Sequence, residues 1–94
     1  TGAAQVFGLE TDAMKSGLQN VGDAFHDAFF GRNQEAMVLI NRLHLRIRTL
    51  KDGSIDAADA LMQVSRAIAA QRGVTQQRLI ARTFGLEALL PLLQ

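Results

Sequence analysis

Leu43-His44-Leu45-Arg46-Ile47-Arg48 is the stretch on which the fold class turns. Apolar and polar residues alternate through it without a break, which is the signature of a half-buried strand. The same residues also extend a different pattern. Ala36, Ile40, Leu43, Ile47 and Leu50 are spaced by four, three, four and three, as on the apolar seam of a helix. The helical spacing runs the whole segment, and the alternation covers only its second half. Arg42, Arg46, Arg48 and Lys51 then fall near the helix's C-terminal end, where cations suit its dipole. The expectation is therefore a helix opened by Asn33, carrying Glu35 in its first turn and continuing through residues 43–50.

Upstream, Met14, Leu18, Val21, Phe25 and Phe29 recur at four, three, four and four, the stripe of an amphipathic helix. Thr11 is its expected N-cap, with Asp12 in the first turn. Gly17 and Gly22 weaken it by about 1 kcal/mol each relative to alanine. Gly31 supplies the stop. Residues 1–10, with two glycines and scattered Val6, Phe7 and Leu9, read as a flexible N-terminal arm.

Downstream, Lys51-Asp52-Gly53-Ser54 is a turn. Ser54 is expected to cap the next helix, with Asp56 in its first turn. Ala57, Leu61, Val64 and Ile68 form its stripe. Gly73 breaks the pattern, Thr75 restarts it, Gly85 breaks it again, and Pro91 kinks the last turns. The sequence thus predicts an all-α fold: two helices plus a long broken C-terminal helix, arranged as a helical hairpin or small bundle. Residues 11–94 form its single helical domain.

Composition excludes several chemistries. The 94 residues contain no cysteine, tryptophan or tyrosine. That removes disulfides, Cys-ligated zinc, iron–sulfur clusters and thiol nucleophiles. A net charge of +1 sets up no global field for nucleic acid or anionic lipid. No apolar run is long enough for a membrane span, and no Sec-type signal pattern is present. The first residue is Thr1, which leaves a preceding targeting segment open.

The candidate sites are few. His26 and His44 lie in different segments and lack the HxxxH or HExxH spacing of a metal site. Asp52-Gly53-Ser54 through Asp59 has the outline of half an EF-hand loop. Its first ligand positions fall on Arg48 and Leu50, which cannot bind calcium. There is no phosphate-binding glycine loop and no hydrolase motif. No enzyme, cofactor or metal is expected. Arg42, Arg46, Arg48 and Lys51 form the one basic patch. Four cations against Glu35 give residues 35–51 a charge of +3, whereas residues 1–34 carry −2. A basic face can grip phosphates, but nothing aromatic is interleaved for stacking on single strands. The bland reading, a solvated helix end, is preferred to nucleic-acid binding.

The C-terminal half is more informative. Alanines alternate there with Leu61, Met62, Val64, Ile68, Val74, Leu79 and Ile80. A helix apolar on several sides is either central to a core or buried in an assembly. Asp56-Ala57-Ala58-Asp59-Ala60-Leu61-Met62-Gln63-Val64, then Ala69-Ala70-Gln71, Gln76-Gln77 and Gly85-Leu86-Glu87-Ala88-Leu89-Leu90 resemble the inner-rod and needle-type subunits of bacterial type III secretion systems. The resemblance covers the last part of the chain and none of the first fifty residues. It implies a cofactor-free structural subunit of the cell envelope that polymerises through its C-terminal helix. On that reading Leu61, Val64, Ile68, Leu79, Leu86, Leu89 and Leu90 carry the contacts with further copies or other apparatus subunits. The alternative is a small helical adaptor or regulatory module that docks a partner protein.

Overall fold

The computed structural model describes the backbone of residues 2–90 and the side chains of residues 12–90. Within them the chain is all-α: α1 (Gly2–Phe29), α2 (Gln34–Arg42), α3 (Ala57–Ala70), α4 (Val74–Thr83) and a closing 3-10 turn, η1 (Glu87–Leu89). α1 packs against α2, α3 and η1, while α4 leans on α2, α3 and η1. The C-terminal half is thus a broken helix, as its glycines imply. Gly73 is the N-cap of α4, so the helix restarts just ahead of Thr75. Pro91 lies outside the described residues.

α1 begins at Gly2 rather than at Thr11. The backbone of residues 2–10, expected as an arm, continues the helix, and the Thr11 side chain lies outside the described residues. α1 ends as its sequence implies. Gly31 is left-handed, with φ +75°. The Gly31 amide donates to the Ala28 carbonyl and the Arg32 amide to that of Asp27, at 3.1 and 2.7 Å. This paired closure satisfies carbonyls that a helix end otherwise strands.

α2 starts at Asn33, whose side chain accepts from the Ala36 amide at 3.1 Å. The expected continuation through residues 43–50 does not occur. His44 takes a left-handed φ of 57°. The Leu45 amide then donates to the Ile40 carbonyl and the His44 amide to that of Asn41, at 2.8 and 3.3 Å. This is the same closure as at Gly31, made by a residue that carries a side chain. Beyond it the backbone is extended, and the alternation proves to be the true signal. Leu43, Leu45 and Ile47 are half-buried against the core, while His44, Arg46 and Arg48 face out.

The extended segment forms no sheet. Thr49 and Ile55 make one isolated antiparallel bridge. It is flanked by the Leu50 amide on the Ser54 carbonyl at 2.8 Å and the Asp56 amide on the Arg48 carbonyl at 2.9 Å. Residues 51–54 turn the chain, as expected. Ser54 does not cap α3, however. Its amide and hydroxyl both donate to the Asp52 carboxylate, at 3.0 and 2.6 Å. The cap is Asp56, which accepts from the Asp59 amide at 3.1 Å.

The core is wholly apolar among the described residues. Phe25 and Phe84 meet at its centre, with ring centroids 5.4 Å apart and planes tilted by 50°. Val21, Val64, Ile68 and Leu86 complete it without measurable exposure. The glycines of α1 have a packing reason. A Cβ on Gly17 would lie 2.5 Å from the Leu89 Cδ1, and one on Gly22 would lie 3.3 Å from the Ala57 Cβ. Small residues let η1 and the start of α3 press onto α1. Their cost in helix propensity is offset by that close approach.

Candidate functional site

The structure separates the residues that the sequence had grouped for assembly. Leu61, Val64, Ile68, Leu86 and Leu89 are buried in the core of the chain itself. Leu79 and Leu90 are half-buried. Val64, Ile68, Leu86 and Leu89 are no more than 2% exposed, so the folded chain offers them to no other molecule.

The basic residues are similarly dispersed. Arg42 ends α2, Arg46 and Arg48 stand on the extended segment, and Lys51 lies in the turn. They share no helix face. Arg48 sits 3.9 Å from Asp59, in a pair whose arginine is exposed and whose aspartate is half-buried; at that distance it adds little stability. The two histidines are apart as well. His44 closes α2, and His26 lies on α1 with its Nδ1 3.6 Å from Asp27. Among the described residues no three His, Asp or Glu side chains are grouped to hold a metal. Nor is any helix long and apolar enough to cross a membrane.

Exposed large apolar side chains are scattered over the fold, at Met14, Val38, Leu50, Met62 and Val74, but two aromatics adjoin where α1 ends. Phe29 and Phe30 are 56% and 60% exposed. The sequence placed Phe29 on the buried stripe of α1, but the chain turns away at Gly31 and no element crosses above it. The two rings meet edge to face, with centroids 5.2 Å apart. The Phe30 ring also lies 4.7 Å from the His26 imidazole. The result is a small aromatic ledge held by its own contacts.

This ledge borders an open groove of about 610 Å³. One wall is a single face of α1, from Gln19 through Asp23 and His26 to Phe29 and Phe30. The other wall is the turn from Thr49 to Ile55. Leu18, Gly22, Ile55 and Ala57, all half-buried, form the floor. The absence of a side chain at Gly22 deepens it. Asp23 and Asp52 stand on opposite walls, and no lysine or arginine lines the groove. The Ser54 hydroxyl and amide hold the Asp52 carboxyl below its ordinary value of 3.8, so it is charged at neutral pH. On its far side Phe29 also lines a smaller depression of about 430 Å³, together with Met37 and Val38.

Sequence reasoning missed this site. Gln19, Asp23, His26 and Phe30 recur on one helical face, but their partner wall depends on the chain reversing at residues 51–54. Comparison with protein families, curated proteins and solved structures finds no match to the chain.

Proposed function

We propose that the chain is a small helical docking module whose function is protein–protein association through the ledge and groove at the end of α1. The observation that carries this reading is the contrast in exposure. The core is closed, yet two phenylalanines stand more than half exposed beside a groove with an apolar floor. A monomer gains nothing from exposing adjoining aromatics, and such rings are common anchors at interfaces. Polymerisation through the C-terminal helix, as the type III resemblance implies, is the weaker reading. The side chains it requires are those that hold η1, α3 and α4 against α1, so assembly would compete with folding.

The test is site-specific photocrosslinking in the producing cell. With a photoreactive phenylalanine analogue at position 30, the reading expects a discrete protein adduct. The same analogue at Met62, which is 53% exposed on α3, is expected to give none. Absence of adducts at position 30, or equal labelling at both positions, would overturn it.

A further inference from the structure

We infer that the groove between α1 and the 49–55 turn selects a partner segment that is both apolar and cationic, an inference that rests on the docking reading above. Three features converge on that chemistry. The floor of Leu18, Gly22, Ile55 and Ala57 takes an aliphatic side chain. Asp23 and Asp52 face the opening from opposite walls, with no lysine or arginine in the lining to neutralise them. Among the described residues neither carboxylate is held in an ion pair. The exposed faces of Phe29 and Phe30 suit a guanidinium or ammonium stacked above them. An acidic partner would meet two like charges and gain none of these contacts.

The occupant is a different chain rather than a second copy. Of the stretches here that combine apolar and basic residues, Arg78–Arg82 keeps Ile80 and Ala81 in the core, and the one in which the two kinds alternate is Leu43–Arg48. Its Leu43, Leu45 and Ile47 already pack on the core, so only its arginines are free to enter another molecule's groove.

The experiment uses the full chain, isotopically labelled for NMR and titrated with three short helical peptides. All three share one leucine stripe and differ only in their flanking residues, which are arginine, glutamine or glutamate. The arginine peptide is expected to bind about tenfold more tightly than the glutamine one, and the glutamate peptide weakest. Shifts should be confined to residues 18–30 and 49–57. Paired Asp23→Asn and Asp52→Asn changes should bring the arginine peptide down to the affinity of the glutamine one, with an unchanged circular-dichroism spectrum confirming the fold. Equal affinities at the groove would overturn the charge preference and leave the docking reading standing. No shifts in the groove, together with a discrete adduct at position 30, would overturn only the inference. No shifts and no adduct would overturn both. Concentration-dependent dimerisation of the free chain, abolished by Phe29→Ala and Phe30→Ala, would make a second copy the occupant and overturn it as well.

Discussion

His44 holds a left-handed conformation that costs an L-residue on the order of 1–2 kcal/mol, and it does so at the point where α2 must end. Gly31 and Gly85 make the same closure at the ends of α1 and α4 without that cost. His44→Gly is therefore expected to stabilise the chain by about 1 kcal/mol, read as a rise of several degrees in melting temperature. A lower melting temperature would show that the imidazole contributes something the glycine cannot. The opposite substitution is expected to be costly at Gly85. Its φ is +71°, and a Cβ there would lie 2.7 Å from the Asn20 Cβ. Gly85→Ala should destabilise by more than 1 kcal/mol in denaturant melts. At this scale the sequence was legible where glycine marked a stop and illegible where histidine did. With no glycine to mark it, the end at Arg42 was announced only by the alternation that starts at Leu43, which the longer helical spacing outweighed.

Among the elements, the extended segment depends on one side chain. The Gln63 amide donates to the Arg46 carbonyl at 2.9 Å and accepts from the Arg46 amide at 2.8 Å. It therefore acts as a neighbouring strand would, from the side of a helix. It also donates to the Asp59 carboxylate at 2.6 Å, which fixes its orientation. Gln63→Ala should leave α3 helical but sharply raise hydrogen exchange at the Arg46 amide, with a global loss of about 1 kcal/mol. Unchanged exchange at Arg46 would mean that the segment is held by Leu45 and Ile47 alone. The neighbouring turn has a pH response. Asp52 has a folded-state pKa below its unfolded value, so its contribution is present above the ordinary carboxylate range. It is lost as pH falls through the lowered value. An NMR titration of the Ser54 amide should follow that loss, and a midpoint above 3.8 would contradict it. Helix starts were partly legible, through Asn33. Ser54 misled because it and Asp56 are both good caps, and only the fold shows that Asp52 has already engaged Ser54.

The whole molecule measures 43 × 36 × 17 Å. Its thin dimension is about that of two packed helices. In such a slab an apolar residue is buried only if another element crosses it. That separates phenylalanines which look alike in the sequence. Phe25→Ala, at the centre, is expected to cost about 3–5 kcal/mol. The paired Phe29→Ala and Phe30→Ala changes should alter stability by less than about 0.5 kcal/mol while abolishing peptide binding. A large loss of stability from that pair would reassign the ledge to the core. The all-α class and most of the core were legible from periodicity. The groove was not, because a helix face becomes a site only when a distant turn stands opposite it.

The extended segment has one further consequence. No hydrogen bond engages the Ile47 backbone among the described residues, so one edge of this strand-like stretch is open to another chain. An unpaired edge with half-buried leucine and isoleucine invites intermolecular β-pairing. Arg46 and Arg48 flank Ile47 and project outward, and bringing two such edges together would juxtapose their guanidinium groups. The arginines that look in the sequence like a grip for phosphate thus stand in the fold where gatekeeper charges oppose edge-to-edge pairing. Replacing both with threonine should leave the monomer folded yet raise light scattering on prolonged incubation.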